Sequence, residues 1–403
     1  MTAPNQDIED ITLHVKPPSQ RIVALDIIRG LFLIIILINH IELYPSGFDY
    51  FTGRGRLLVS AAEGFFFMSG LLVGMVYRRR LSQGMRFIFK KMWTRALQLY
   101  IGSIIFTMFF TAAAVFLNHP NIKDGLYTII NWPHILKETL LMRYGYGWAD
   151  FLDRFSILMF MAPFSFYLLT KRKWWLLMVF SLLAWSIRGN NFTLSWQILF
   201  NLAMVVGFYW HELVARWRAI NPIIQKRARR AVIGVTAITF ILSYASVYIL
   251  SILNEKLLSL PAWLNSLTLH WNSANAWVWL YAQKWTMGPL RIALFMLWFA
   301  VLFMWVQKHW RSINRRTHGL IELLGRNSLF VYIAHAFIVF IFKLFIPDQT
   351  NLPANFLITL AALILLILVT IGYKKTEPSL SALKRRLGRR LKRPLLRLLP
   401  ASL

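Results

Sequence analysis

Residues 22–44, with the sequence IVALDIIRGLFLIIILINHIELY, form an apolar stretch around which the rest of the chain is organised. It is long enough to cross a bilayer, because about 20 apolar residues in a helix cover the hydrocarbon core. Ionisable side chains are costly in such a helix and are usually functional. Arg29 and His40 are eleven positions apart, which is three turns plus about 20°, so they share a face about 16 Å apart along the axis. Asp26 lies one turn before Arg29 on nearly the same face.

The composition is that of a polytopic membrane protein, since 57% of the 403 residues are hydrophobic and only 15% are charged. The chain has no cysteine, which excludes disulfides, thiolate metal sites and a cysteine nucleophile. Its nine histidines show no HExxH-like grouping, so no metal site is predicted. The net charge of +29 comes from basic residues concentrated in alternate loops and in the tail, a distribution typical of membrane topology. No nucleic-acid partner is therefore predicted.

Ten apolar runs predict an all-α integral membrane protein with ten transmembrane helices. The runs are residues 22–44, 57–77, 94–117, 152–170, 173–187, 194–213, 231–252, 289–307, 326–346 and 355–373. They divide the chain into a flexible N-terminal segment (1–21), a membrane domain (22–373) and a basic tail (374–403). Two long loops, 118–151 and 253–288, separate runs on the side away from the termini.

Basic residues predict the orientation of these helices. The loops after every second run, and the tail, are rich in arginine and lysine, whereas the alternate loops carry few; residues 347–354 have none. The positive-inside rule therefore places both termini in the cytoplasm. In the tail, leucines at three- and four-residue spacing among arginines and lysines also fit an amphipathic helix on anionic lipid. A simple topology anchor fits the same tail.

His40 and Glu63 are the predicted catalytic pair. This topology puts His40 near the outer surface, and Glu63, in the second run, at about the same depth. A short loop joins the two helices, which favours their being neighbours. The carboxylate would orient the imidazole, and the imidazole would remove a proton from an alcohol, as in acyl transfer. Two structural alternatives stay open: a polar pair that locks the two helices together, and a local pair of Asp26 with Arg29.

Three motifs resemble those of the membrane acyltransferase-3 superfamily. Arg29 and His40 resemble its R-x10-H motif, and residues 65–70, FFFMSG, resemble its FFxxSG stretch. Residues 325–335, GRNSLFVYIAH, resemble its G-x-x-S-x-x-x-Y-x-x-H pattern. Within the superfamily the first hundred residues are most similar to the OpgC branch, whose members are associated with succinylation of osmoregulated periplasmic glucans. The middle of the chain matches only in its pattern of runs.

The resemblance implies a cytoplasmic acyl-CoA donor, such as succinyl-CoA, and a periplasmic glucan acceptor, with no tightly bound cofactor. Arg29 would then meet the pantetheine or a phosphate of the donor. Basic residues at the inner surface would collect its phosphates; they are Arg78, Arg79, Arg80, Lys90, Lys91 and Arg95. Each of these also satisfies the topology rule and needs no further function.

The remaining candidates line the acyl path or bind the acceptor. Direct transfer through His40 and Glu63 is the expected mechanism, with Ser69 as the alternative nucleophile of an acyl-enzyme. The predicted acyl path consists of Asp26, Ser69, Ser328, Tyr332 and His335; the last three share one helix face with Gly325. The predicted acceptor-binding residues are Asp150, Asp153, Trp271 and Trp277. Helix packing, helix-start charges and interfacial tryptophans are the structural alternatives for these residues.

The sequence thus predicts a multi-pass O-acyltransferase of the bacterial inner membrane that succinylates a periplasmic glucan. Its predicted partners are the lipid bilayer, acyl-CoA, the glucan and other glucan-biosynthesis proteins. O-acetylation of another surface polysaccharide or lipid-linked sugar is the alternative reaction. A proton-coupled transporter or flippase is the alternative class, since carriers also use intramembrane charges. The sequence shows no inverted repeat, a feature of many transporters, and this argues against that class.

Overall fold

A computed structural model describes residues 22–118, 122, 131–148, 150–347 and 349–397; the side chains of residues 150, 258 and 378–397 are outside this description. The predicted flexible segment 1–21 lies outside the described residues. Within them all regular secondary structure is helical. The α-helices are α1 (Val23–Ile41), α2 (Asp49–Thr52), α3 (Ala61–Arg78), α4 (Met85–Leu117), α5 (Trp132–Leu140), α6 (Asp150–Thr170), α7 (Trp174–Ser186), α8 (Phe192–Phe208), α9 (Trp210–Ala219), α10 (Pro222–Glu255), α11 (Ala262–Tyr281), α12 (Pro289–Arg316), α13 (Leu320–Arg326), α14 (Ser328–Phe345) and α15 (Leu352–Arg397).

Helix α1 lies at the centre of the bundle. It packs against α3, α12, α13, α14 and α15, and most of its side chains are buried. A continuous apolar sequence suits this position, because a helix surrounded by other helices needs no polar face. The helix ends after Ile41, where Glu42 adopts a left-handed conformation with φ of 58°. The residues of the predicted R-x10-H motif therefore project from the central helix.

Glycines permit the closest helix contacts. At Gly325 in α13, an added Cβ would stand 1.7 Å from the carbonyl oxygen of Asp26, and at Gly30 in α1 it would stand 2.0 Å from that of Ile321. Any side chain at these two positions would collide with the facing backbone. Small residues allow such approach between membrane helices, where packing rather than the hydrophobic effect drives association. The start of α1 is thereby held directly against α13.

Seven of the described helices are long and apolar enough to cross a membrane: α1, α4, α6, α10, α12, α14 and α15. The pair α8 and α9, bent by 67°, gives an eighth if it is one span. Each coincides with a predicted run, and together they make this a multi-pass membrane protein. The predicted run 57–77 corresponds to α3, and the run 173–187 corresponds to the 13-residue α7. The count of ten spans and the cytoplasmic termini stay predictions.

The predicted long loops contain helices of their own. The nine-residue α5 lies within 118–151, and the 20-residue α11 lies within 253–288. Helix α11 packs against α10 and α12, which explains why its many tryptophans form a helix rather than an open loop. Helix α15 is 46 residues long and continues past residue 373 into the basic tail.

Candidate active site

A cavity of about 750 Å³ lies between α1, α3, α4, α6 and α14. It reaches the surface at Arg79 and Arg80, which are exposed at the end of α3. Eight of the predicted site residues line it together: Asp26, Arg29, Ser69, Arg79, Arg80, Arg95, Ser328 and Tyr332. The structure thus gathers residues from three separated motifs around a single space.

Four arginines make this cavity strongly cationic. Arg29, Arg79, Arg80 and Arg95 line it together with a single carboxylate, that of Asp26. The guanidinium group of Arg29 donates a hydrogen bond to the hydroxyl of Ser328, which joins α1 to α14. Several guanidinium groups around a cavity attract anions and can bind phosphate or carboxylate oxygens by charge-assisted hydrogen bonds.

Three aromatic rings of the cavity lining contact one another, and we call this cluster the aromatic closure. The ring centroids of Phe65 and Phe151 are 4.7 Å apart, and those of Phe151 and Tyr332 are 5.0 Å apart. The third pair, Phe65 and Tyr332, is separated by 6.0 Å. The hydroxyl of Tyr332 donates to the carbonyl oxygen of Trp148 at 3.1 Å, which fixes its ring. Tyr332 lines the cavity and also contacts His335, so this cluster lies between the cavity and that histidine.

A pair of histidines lies on the other side of Tyr332. The His335 ring is 4.7 Å from the Tyr332 ring and 5.2 Å from the His40 ring, centroid to centroid. His335 is fully buried, whereas His40 is half-buried at the end of α1. The atoms Nδ1 of His40 and Nε2 of His335 are 3.1 Å apart, a hydrogen-bond distance. The two imidazoles thus stand in line behind the aromatic closure.

The backbone determines which ring nitrogen of each histidine carries a proton. Nδ1 of His335 is hydrogen-bonded to the carbonyl oxygen of Tyr332. A carbonyl oxygen only accepts, so this Nδ1 is protonated, and in the neutral imidazole Nε2 of His335 then carries a lone pair. Nδ1–H of His40 therefore donates to His335, and Nε2 of His40 is left with its lone pair. A neutral imidazole in this tautomer is ready to accept a proton through Nε2.

Comparison with known protein families decides the classification. The sequence model of the family described as OpgC protein matches residues 21–377. The chain belongs to the OpgC family. No curated protein and no solved structure shows significant similarity to it. Membership of this family indicates an acyltransferase-type function on glucans.

The structure of this OpgC-family protein corrects the partner predicted for His40. Glu63 is fully buried, and its Oε1 accepts a hydrogen bond from Nε of Arg291. Its Oε2 accepts from the backbone N–H of Ser60 at 2.9 Å, which completes a capping box at the start of α3. Glu63 thus binds Arg291 and Ser60 instead of His40, and His335 occupies the place next to His40 that the prediction gave to a carboxylate.

Sequence reasoning missed Arg291. It is fully buried in the first turn of α12, and it lies inside the predicted run 289–307. The criterion that singled out Arg29, an ionisable group inside an apolar run, applies equally to Arg291. A buried arginine needs a counter-charge, and Glu63 was the carboxylate within the neighbouring helix that was available to supply it.

Three of the predicted donor-binding residues, Arg78, Lys90 and Lys91, lie outside the cavity lining of the OpgC-family protein. NH2 of Arg78 lies 2.8 Å from Oε1 of Glu212, and Arg78 also donates to the carbonyl oxygen of Phe208. It thereby fastens α3 to the bend between α8 and α9. Lys90 faces a second groove, of about 710 Å³, beside Trp93. Arg79, Arg80 and Arg95, by contrast, do line the cavity.

Ser69 lines the cavity, but its hydroxyl donates to the carbonyl oxygen of Phe65 at 2.9 Å, one turn earlier in α3. This bond matches the helix-packing alternative for Ser69, because the hydroxyl proton is donated to the backbone of its own helix and not to a base. The geometry therefore gives the acyl-enzyme alternative no activated nucleophile at this position.

The predicted acceptor-binding residues are dispersed. Trp271 donates from Nε1 to the hydroxyl of Ser246 at 3.2 Å, which fastens α11 to α10. Trp277 is 63% exposed and contacts Tyr281 on its own helix. Asp153 is buried in the first turn of α6, where its carboxylate accepts from the N–H of Arg154. Helix α6 begins at Asp150, whose side chain is outside the described part of the chain. None of the described contacts of Trp271, Trp277 or Asp153 is with His40 or His335.

Proposed function

We propose that this protein transfers a short acyl group, succinyl by family resemblance, from cytoplasmic acyl-CoA to a hydroxyl of a periplasmic glucan. The observation that carries the proposal is the pair of His40 and His335 behind a cationic cavity. A cavity alone would suit many ligands, but an imidazole with its lone pair directed away from a fixed partner is a general base. His40 is linked to the cavity through His335 and the lining residue Tyr332, and this position fits a reaction between groups from opposite membrane sides.

On the donor side, the cavity suits the shape and charge of acyl-CoA. The exposed Arg79 and Arg80 at its mouth would bind the phosphates. The narrow pantetheine arm would extend along Arg29 and Ser328 towards Tyr332, with the acyl group leading. Passage to the histidines would require the rings of Phe65, Phe151 and Tyr332 to separate. The donor thus supplies a thioester at His40 without the nucleotide leaving the cytoplasmic side.

The transfer itself needs one base and no covalent enzyme intermediate. Nε2 of His40 takes the proton of an acceptor hydroxyl while the hydroxyl oxygen attacks the thioester carbon. The C–S bond breaks, an ester forms, and the proton on His40 passes to the departing CoA sulfur. Through this cycle the neutral His335 accepts the hydrogen bond from Nδ1–H of His40 and holds its ring in place. No tightly bound cofactor is part of this proposal.

The proposed orientation of the protein in the membrane rests on the distribution of its basic loops. Placing the arginine-rich ends of the helices in the cytoplasm puts the mouth of the cavity there and His40 near the periplasm. The protein would then reside in the bacterial inner membrane, where it meets acyl-CoA on one side and glucan on the other. Other glucan-biosynthesis proteins would present the acceptor.

The test uses the full chain in nanodiscs with radiolabelled succinyl-CoA and a neutral β-glucan. We expect label on the glucan from the wild type and at least a hundredfold less from His40→Ala, which is within the typical contribution of a general base of roughly 10²–10⁴. His270→Ala is the matched control, because His270 is exposed on α11. Label that His40→Ala leaves unchanged would contradict the role of His40. Absence of label with both succinyl-CoA and acetyl-CoA would contradict the proposed reaction and favour transport.

A further inference from the structure

A groove between α4 and α6 lies on the side of α4 away from the cationic cavity. It is the groove of about 710 Å³ that Lys90 faces. Its lining includes Arg86, Phe89, Lys90, Trp93 and Leu97 of α4 and Tyr167 of α6. Arg95, which lines the cationic cavity, comes two residues after Trp93 and therefore lies about 200° further round the helix. Helix α4 thus separates the two spaces, and we call this one the α4–α6 groove.

The groove changes from basic to apolar along α4. Arg86 and Lys90 are four residues apart at the start of this membrane helix, and both side chains are exposed. Trp93 and Leu97 follow on the same face, seven and eleven residues after Arg86. Beyond them the face continues through Ile101, which is 47% exposed. A face that is cationic at the end of a membrane helix and apolar further along it matches a phospholipid with a negatively charged headgroup.

The cations of the groove have no counter-charge beside them. Within the described part of the chain, Arg86 and Lys90 form no ion pair, and the lining of the groove contains no carboxylate. A third cation stands at the opposite wall, where Nζ of the exposed Lys171 is 5.7 Å from the centre of the Tyr167 ring. Unneutralised cations attract anions, and at a membrane surface the concentrated anions are phospholipid headgroups.

Interlocked aromatic rings hold the walls of the groove in place. Nε1–H of Trp93 donates to the carbonyl oxygen of Phe160 at 3.1 Å, and the two rings are stacked with their centroids 5.9 Å apart. The Phe89 ring lies edge to face against Trp93 at 5.3 Å and against Phe164 at 5.7 Å. Rings from both helices therefore fix one another. A groove formed in advance binds a ligand without the cost of ordering its own walls.

We propose that the α4–α6 groove binds one anionic phospholipid. Arg86 and Lys90 bind its phosphate by charge and by N–H donation, and one acyl chain lies over Trp93 and Leu97 towards Ile101. A phospholipid without net charge fills the same apolar surface but gains less from the cations, so the site selects for headgroup charge. With the basic loops in the cytoplasm, as proposed above, the lipid belongs to the cytoplasmic leaflet. This inference does not depend on the proposed acyl transfer.

The test measures which lipid lies beside Ile101. The chain has no cysteine, so Ile101→Cys gives the full chain a single thiol for the fluorophore NBD. The labelled protein is reconstituted in phosphatidylcholine nanodiscs that contain increasing fractions of a nitroxide-labelled quencher, either phosphatidylglycerol or phosphatidylcholine. Ile241→Cys on α10 is the matched reference position. Ile241 is 64% exposed and lies eleven residues after Arg230. Ile101 likewise lies eleven residues after Lys90.

The expected result is selective quenching by the anionic lipid. At Ile101 we expect phosphatidylglycerol to bind roughly tenfold more tightly than phosphatidylcholine, from the attraction of two basic residues for an anionic headgroup. At Ile241 the preference should be less than about threefold, because exposed charge without a groove attracts lipid only weakly. Arg86→Gln with Lys90→Gln should lower the preference at Ile101 to the value at Ile241.

Two control proteins separate the groove from general surface charge. Lys226→Gln with Arg230→Gln removes an exposed lysine and an exposed arginine, also four residues apart, from the first turns of α10. This variant should leave the preference at Ile101 unchanged. Arg86→Lys with Lys90→Arg keeps both charges and should retain most of the preference, which distinguishes a loss of charge from a disturbed helix.

Four results would overturn the proposal. The first is equal quenching by the two lipids at Ile101, and the second is a preference that Arg86→Gln with Lys90→Gln leaves unchanged. The third is a label that neither lipid quenches, since another protein surface would then cover the groove. The fourth is relief of the quenching by millimolar glycerol phosphate, because the groove would then be a site for free phosphate and not for a lipid. A preference that only the groove substitutions remove would support the proposal.

Discussion

Nδ1 of His40 lies 3.1 Å from Nε2 of His335, although 295 positions separate the two residues in the chain. One histidine belongs to the central helix α1 and the other to α14, and the carbonyl oxygen of Tyr332 determines the tautomer of both. The arrangement resembles the general logic of a base held by an oriented partner. Here the partner is a neutral imidazole, so no carboxylate is needed beside His40.

Replacing His335 should impair catalysis without weakening donor binding. In His335→Phe, Nδ1–H of His40 loses its acceptor and the ring loses its fixed tautomer. We expect kcat to fall by roughly ten- to a hundredfold with an unchanged KM for acyl-CoA. His335→Gln offers a carbonyl oxygen as an acceptor and should recover part of the rate. A rise in KM with constant kcat in either variant would contradict a role for His335 through His40.

Breaking the pair of Glu63 and Arg291 should destabilise the fold. Arg291→Met leaves a fully buried carboxylate without its cation, and such losses cost about 3 to 5 kcal/mol. The double variant Glu63→Met with Arg291→Met should be more stable than Arg291→Met alone, because it removes both buried charges. Thermal unfolding in detergent measures both effects. Lys374→Met, which disrupts the exposed pair of Lys374 and Glu377, is the control and should change little. A double variant less stable than the single variant would contradict this explanation.

The mouth of the cavity should bind the donor through charge. The double variant Arg79→Gln with Arg80→Gln should raise the KM for acyl-CoA roughly tenfold and reduce its dependence on salt. Lys90→Gln removes a charge of the same sign that faces the other groove, and it should leave KM unchanged. Steady-state kinetics at two ionic strengths provide the measurement. Equal effects of the two sets of substitutions would show that general surface charge, and not the cavity, binds the donor.

The contact between α1 and α13 should tolerate no side chain at Gly325. An added Cβ would stand 1.7 Å from the carbonyl oxygen of Asp26, so Gly325→Ala must push the two helices apart. We expect a loss of about 1 to 3 kcal/mol in unfolding free energy, as is typical of overpacking. Gly102→Ala in α4 is the control, since nothing lies within 4 Å of its Cβ position. A Gly325→Ala protein as stable as wild type would contradict the close packing.

The sequence alone predicted several features of the fold and of the candidate site. Apolar length predicted ten spans, seven of which correspond to described helices that are long and apolar enough to cross a membrane. The ionisable residues within residues 22–44 identified the central helix. The spacing of Ser328, Tyr332 and His335 predicted a shared face, and two of these residues do line the cavity with Arg29. These properties are local, because helix period and helix length depend only on neighbouring residues.

The sequence did not determine which ionisable side chains contact one another. Equal depth in the membrane suggested that Glu63 meets His40, but depth does not determine the direction in which a side chain leaves its helix. That direction depends on which helices surround α3, and packing against α8 and α12 turned Glu63 towards Arg291, 228 positions away. Packing of α14 against α1 likewise brought His335 to His40. The sequence by itself determined the helices and the ionisable groups that they carry. Only the tertiary structure decided which of those groups touch, because such contacts depend on how helices distant in the chain are rotated against one another.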